Sequence, residues 1–192
     1  MYGEQPSEAA GYAVGVFRPG GRVLELGAGH GRDALHFARC GFDVTAADFS
    51  PVGLEQLSAR ASAEGLAVAT LVQDVREPLR LPDGSVDSVY AHMLFCMALS
   101  TAELVALLGE VRRVLRPDGA LVYTVRHVGD AHYEAGTGHG DNIWEHGGFA
   151  VHFFSRELVE RLAEGWTEPQ VQSFEEGGLP RRLWRVTQRR VD

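Results

Sequence analysis

No apolar run in the chain approaches the roughly 18 residues that a membrane-crossing helix requires. Met1 to Gly11 carry neither the basic start nor the apolar stretch of a secretory signal. Both absences predict a cytoplasmic protein without membrane partners. Cysteine is nearly missing too. Cys40 and Cys96 are the only two, too few and too scattered for a disulfide framework or a zinc cluster, and both are expected to be reduced. Positive charge is in deficit, with 18 Lys and Arg against 26 Asp and Glu and a formal charge of −8. Such a balance gives no general attraction to phosphate backbones, so nucleic acid is disfavoured as a partner and a small-molecule substrate is favoured. The basic run Arg181, Arg182, Arg185, Arg189 and Arg190 lies in a strand-like segment and reads as a solvated edge. No internal repeat or low-complexity tract interrupts the chain.

What is present is an ordinary globular composition, 45% hydrophobic and 23% charged over 192 residues. That length predicts one domain spanning 1–192, as a monomer or a homodimer. Glu8 to Phe17 predicts an opening helix, so that residues 1–20 form an N-terminal helix or lid closed by the breakers Arg18-Pro19-Gly20-Gly21. A regular alternation follows. Val23 to Leu26 reads as a strand, Asp33 to Cys40 as a helix, and Phe42 to Ala47 as a second strand. Ser50-Pro51 starts a helix to about Ala63, Leu66 to Val72 is a third strand, and Ser85 to His92 a fourth. Ser100 caps a helix ended by Arg116-Pro117-Asp118-Gly119, and Ala120 to Val125 is a fifth strand. Residues 127–153 read as an inserted, functional loop, because His127 to Phe149 holds six glycines and four histidines without periodicity. A helix from Ser155, strands near Val171 to Phe174 and Leu183 to Gln188, and a turn at Glu175 to Pro180 complete the pattern. Alternating strands and helices predict an α/β fold with a mostly parallel sheet of seven strands, helices on both faces and an antiparallel hairpin at the end.

The densest local signal is Val23-Leu24-Glu25-Leu26-Gly27-Ala28-Gly29-His30-Gly31, a strand breaking into alternating glycines before a helix. Glycine permits positive φ there and lets a nucleotide approach the backbone and the helix N-terminus. The loop alone is ambiguous, since Gly29, Gly31 and Ala34 also satisfy the dinucleotide spacing G-x-G-x-x-G/A, and the acid Asp48 at the end of the second strand suits a ribose diol under either reading.

The ordered set from Arg22 to Val125 resembles class I S-adenosylmethionine-dependent methyltransferases, and within them the tellurite-resistance and thiopurine-type small-molecule branch. Glu25, Gly27, Gly29 and Gly31 match the first motif of that family, acid-x-Gly-x-Gly-x-Gly. Asp48-Phe49-Ser50 matches the acid closing strand two, and Gln73-Asp74-Val75 the acid that faces adenine. Val86 to His92 matches the strand beside the methionine end, and Leu115 to Gly119 the helix-to-strand turn. The resemblance implies a Rossmann-like fold and S-adenosylmethionine as cofactor. It also implies a cofactor set of Glu25, Gly27, Ala28, Gly29, Gly31, Arg32, Asp48, Phe49, Ser50, Asp74, Val75, Ala91 and His92. His30 departs from the small or polar residues usual inside the loop.

On the acceptor side, Arg126, His127, His132, Tyr133, Asp141, His146 and His152 follow the fifth strand, and histidines suit acid-base or anion-binding work. The acceptor atom and the need for a base stay open. Leu94, Phe95, Cys96 and Met97 are candidates for an apolar wall. His127, His132, His139, Asp141, His146 and His152 lack the short helical spacing of a metal motif, so no metal is expected. Two alternatives remain at this level: a nicotinamide-dependent oxidoreductase, and a non-catalytic cofactor-binding partner subunit.

Overall fold

The computed structural model describes residues 5–177 and 181–192. In chain order the elements are α1 (Glu8–Val16), β1 (Arg22–Leu26), α2 (Arg32–Arg39), β2 (Asp43–Asp48), α3 (Pro51–Ala63), β3 (Val68–Val72), β4 (Val86–His92), α4 (Thr101–Val114) and β5 (Leu115–Arg126). They continue with β6 (Thr137–Gly138), β7 (Ile143–His146), β8 (Phe149–His152), α5 (Arg156–Arg161), β9 (Gln170–Glu176) and β10 (Arg181–Arg189). Of the expected turn at Glu175 to Pro180, the strand β9 takes Glu175 and Glu176, while Gly178, Leu179 and Pro180 lie outside the described residues, as do Met1 to Glu4 of the expected lid.

Seven strands form one sheet in the order β3-β2-β1-β4-β5-β10-β9. The first five are parallel to one another, and β10 is antiparallel to both of its neighbours. This is the Rossmann-like architecture expected from the alternation, with the terminal hairpin closing one edge. Side chains alternate across the pleat. Leu24, Leu26, Val89, Ala91, Leu121 and Tyr123 point into a core shared with α4 and α5. Val23, Val44, Tyr90 and Val122 point into a second core shared with α1, α2 and α3.

Local chemistry sets the helix starts. Ser50 caps α3 through its Oγ, which accepts from the Gly53 amide, with Pro51 in the first turn. Ser100 and Glu103 form a reciprocal capping box on α4. Ser7 caps α1 and also reaches across the layer: its amide donates to Asp33 Oδ1 over 2.8 Å and its hydroxyl to Asp33 Oδ2 over 2.7 Å. The Tyr90 hydroxyl joins the same carboxylate at 3.2 Å. With Ala9, Ala10 and Ala13 buried, α1 is packed against the body of the fold.

Two segments differ from the sequence pattern. The turn Arg116-Pro117-Asp118-Gly119 sits inside β5, because Leu115 already pairs with Val86 and the register jumps to Ala120 opposite Ser88. Gly119 is obligatory there, since a Cβ would lie 2.8 Å from the Arg116 carbonyl oxygen and 3.1 Å from that of Asp87. The region after β5 is not irregular. It folds into an antiparallel sheet, β6-β7-β8. Its strands of two and four residues are too short to show a period.

Candidate functional site

The ends of β1, β2 and β4 are in register, with Leu26 beside Ala47 on one side and Ala91 on the other. A crevice therefore opens past their carboxyl ends, where ligands bind in open α/β sheets. The Gly27 and Ala28 amides both donate to the Ala47 carbonyl, at 2.8 and 3.1 Å, which folds the loop back over β2. Two glycines in this loop serve different ends. Gly29 has φ 54° with open space where a Cβ would stand, so the bare backbone borders the cavity. Gly31 has φ 86° and a Cβ there would fall 2.1 Å from Leu57 Cδ1, so it admits close packing of α3 instead. Gly53 completes the arrangement, since its own Cβ would stand 2.8 Å from the Gly29 carbonyl oxygen.

The resulting cavity of about 490 Å³ is lined by four acids, Glu25, Asp33, Asp48 and Asp74. Asp48 holds the loop: Oδ2 accepts from the Gly29 amide over 2.7 Å and Oδ1 from the Ser50 amide over 2.8 Å. Asp74 Oδ1 accepts from the Arg76 amide over 2.9 Å. Asp33 is engaged by Ser7 and Tyr90. Glu25 is only 3% exposed and its Oε2 has no hydrogen-bond partner among the described residues. Burial, with Asp33 beside it, pushes the Glu25 carboxyl well above the ordinary carboxylate range, and Arg32 offsets only part of this. A buried carboxyl oxygen left without a hydrogen-bond partner is a site prepared for a cationic donor.

The far wall is built by residues distant in sequence. His92, at the tip of β4, has Nδ1 3.0 Å from Thr124 Oγ1, and its Nε2 stands 3.1 Å from Glu176 Oε2 at ion-pair distance but off hydrogen-bond alignment. Arg32 is 3.8 Å from the other oxygen of Glu176. His92 first, then Arg32 and Arg181, outweigh burial and hold the Glu176 carboxyl below its usual range. The terminal hairpin thereby braces the cavity.

Of the cofactor set inferred from sequence, Glu25, Gly27, Ala28, Gly29, Arg32, Asp48, Phe49, Asp74, Val75 and His92 line this cavity. Gly31 packs on Leu57, Ser50 caps α3, and Ala91 is buried within β4; each shapes the crevice from behind. Sequence reasoning missed Asp33, Gln73, Arg76, Met93 and Leu99 on the lining, and Glu176 behind it. Gln73 is 1% exposed and ties the turn after β3, donating to the Asp74 carbonyl and accepting from the Arg80 amide. Only the family position of Gln73-Asp74-Val75 hinted at it. Of the proposed apolar wall, Leu94 and Met97 line the cavity while Phe95 and Cys96 are fully buried.

A second cavity of about 550 Å³ adjoins the first and shares Met93 and Met97 with it. Arg126, His132 and His146 line it, together with Arg181, Trp144, Phe149, Val151 and Phe153. The other acceptor-side candidates lie elsewhere. His127 stacks on Trp184 with ring centroids 4.4 Å apart. Tyr133 donates to Asn142 Oδ1 and packs edge-on against Phe153. His152 is 1% exposed with Nδ1 2.7 Å from the Leu99 carbonyl oxygen. Asp141 accepts from the Thr101 amide and hydroxyl, tying the small sheet to α4, and His139 pairs with Glu145. The tertiary fold separates what the sequence clusters.

A Rossmann-like sheet with an acid-lined crevice behind a glycine loop defines a nucleoside-binding class of fold. Residues 23–119 match the family model described as a methyltransferase domain, just over half of the chain, and the chain belongs to that family. It is 38% identical over 103 residues to a demethylmenaquinone methyltransferase of Thermus thermophilus, a match covering 53% of this chain and 45% of that protein. The chain spans about half the length of the curated relatives it matches. Its fold superposes on a SAM-dependent methyltransferase from Methanosarcina mazei with a TM-score of 0.79 at 17% identity, over 94% of this chain and 97% of that one. It also superposes on the Burkholderia thailandensis 1,6-didemethyltoxoflavin-N1-methyltransferase with bound 1,6-didemethyltoxoflavin and S-adenosylhomocysteine. There the TM-score is 0.74 at 22% identity, over 96% and 79% of the two chains. Among the described residues no helix is long and apolar enough to cross a membrane.

Proposed function

We propose that the chain binds S-adenosylmethionine in the acid-lined cavity and transfers its methyl group to a small molecule seated in the adjoining one, within the small-molecule branch of the family. The observation that carries this reading is the buried Glu25 oxygen without a partner, beside a loop whose backbone is bare at Gly29.

The residues fit such a cofactor end to end. Glu25 would take its amino group, the outer lone pairs of Asp48 its ribose hydroxyls, and Asp74 with Val75 its adenine, with the exposed Phe49 ring covering that end. Met93 and Met97, at the wall between the cavities, border the place where acceptor and methyl carbon meet. Bound there, S-adenosylmethionine supplies an electrophilic methyl group on a positively charged sulfur. The chain's contribution is alignment and exclusion of water, which by positioning alone can supply several kcal/mol, roughly 7 or more in favourable cases. Residues 127–153 form the acceptor side under this reading.

A dinucleotide fits the same crevice poorly, because a pyrophosphate at the glycine loop would meet the buried acids Glu25 and Asp33. Calorimetric titration with S-adenosylhomocysteine, run beside fluorescence titration with reduced nicotinamide cofactor, separates the readings. Saturable heat with the first and no response to the second is expected; the reverse would sink the proposal. Methyl transfer from the radiolabelled cofactor to a panel of small acceptors then distinguishes an enzyme from a cofactor-binding subunit.

A further inference from the structure

The two adjoining cavities differ in their acids. The first sets four carboxyl groups beside Arg32 and Arg76, whereas the second has no carboxyl group among its described lining residues, in a chain whose acids outnumber its bases by 26 to 18. Instead the second carries Arg126, Arg181, His132 and His146. Its remaining walls are aromatic or apolar: Trp144, Phe149, Val151 and Phe153.

These groups are held in place. Asp130, whose side chain is fully buried, accepts from Arg126 Nε over 3.1 Å and from Nη2, and also from the backbone amides of His132 and Arg182. Burial alone would raise the Asp130 carboxyl, but these donors hold it below its usual range. The Arg126 guanidinium lies over the Phe153 ring at 5.1 Å, and its Nη2 is 2.9 Å from His132 Nδ1. A plane of charge is thus fixed against an aromatic wall.

The mouth is unusually apolar. Phe149 is 70% exposed and Met97 41%, both on the cavity rim. Met93, between the cavities, is held at φ 56°, a left-handed conformation that costs a residue with a Cβ about 1 kcal/mol and concentrates at functional positions. Rings, thioethers and a planar guanidinium together favour a flat aromatic ligand.

Resting on the reading of the first cavity as the cofactor site, we infer that the second takes a planar aromatic anion as the methyl acceptor. An acid-lined cavity receives the cationic donor, a base-lined one the anionic acceptor, and the two meet at Met93 and Met97. Arg181, with Arg126 and the two histidines, recognises the negative group, and Phe149 closes over the ring.

The probes are 2-naphthoate and its neutral amide, titrated by calorimetry with and without saturating S-adenosylhomocysteine. The naphthoate is expected to bind at least about tenfold more tightly than the amide, the scale of one charge-assisted hydrogen bond. Arg181→Gln should remove that preference while the amide still binds. Phe149→Ala, at an exposed position that leaves folding untouched, should weaken both ligands about fivefold or more. Equal binding of acid and amide, a preference that survives Arg181→Gln, or affinities unmoved by Phe149→Ala, overturns the inference even if S-adenosylhomocysteine binds normally. Absence of S-adenosylhomocysteine binding with the naphthoate preference intact would instead remove the cofactor reading and leave an aromatic-anion site.

Discussion

Both carboxylate oxygens of Asp48 are engaged by backbone, one by the Gly29 amide at 2.7 Å and the other by the Ser50 amide at 2.8 Å. One side chain therefore sets the height of the glycine loop and the start of α3 together. Asp48→Asn retains one acceptor but turns an NH2 group toward one of those amides. It is expected to cost roughly 1 to 3 kcal/mol, split between a lower thermal midpoint and weaker S-adenosylhomocysteine binding. Unchanged melting and unchanged calorimetry would show that the loop is held without Asp48.

Glu25 and Glu176 predict opposite responses to pH. The folded chain keeps Glu25 protonated above the ordinary carboxylate range, whereas the unfolded chain releases that proton near pH ~4.3. Between those points the folded state holds more protons, so the Glu25 contribution to stability falls as pH rises through its folded pKa. Glu25→Gln should accordingly stabilise the ligand-free protein at neutral pH by more than about 1 kcal/mol while weakening S-adenosylhomocysteine binding roughly tenfold or more. Urea midpoints and calorimetry at pH 7.5 on the same two proteins would reveal the trade. A destabilised variant contradicts it.

Glu176 is held below its usual range by His92, so its contribution is present above the ordinary carboxylate range and lost as pH falls through the folded value. Glu176→Gln should flatten the acid limb of the stability curve. It should also loosen the hairpin against β4, visible as faster hydrogen exchange along β9. Identical acid limbs in parent and variant would deny the His92 contact any energetic weight.

The two loop glycines should separate stability from binding. Gly31→Ala must displace Leu57 and hold a Cβ at φ 86°, an expected loss of roughly 2 to 4 kcal/mol. Gly29→Ala meets nothing within 4 Å and should cost about 1 kcal/mol of stability, yet its methyl group intrudes where the cofactor would lie. Melting curves and cofactor titrations should therefore rank the two variants in opposite orders. The same ranking by both measurements would be inconsistent with this division.

Thiol chemistry gives a simple check of the core. Cys40 is exposed, while Cys96 is fully buried with its thiol pushed up to about 11 by burial. A disulfide reagent at pH 8 should titrate one thiol in the folded protein and the second only on unfolding. Two prompt equivalents would place Cys96 outside the packed layer.

Much of this site is written in short stretches. The strand, glycine loop and helix around Glu25 to Arg32 are local, because φ preferences, caps and the step from a period of two to one of 3.6 operate over a few residues. The acids ending β1 and β2 stand at strand tips, so parallel alternation alone brings them to one crevice. Residues 127–153 were opaque for the complementary reason. Their small sheet is stabilised by Asp141 on Thr101, His152 on Leu99 and Tyr133 on Phe153, contacts with no sequence period.

The sequence by itself determined the order of elements outside residues 127–153, the parallel sheet with its terminal hairpin, and the acid and glycine ladder of the crevice, since each depends on neighbours along the chain. Tertiary packing alone decided which histidines reach a cavity, that Glu176 returns from the far edge to His92, and that a base-lined aromatic cavity abuts an acid-lined one. Those outcomes depend on burial and charge summed over segments whose separation along the chain exceeds the range of any local preference.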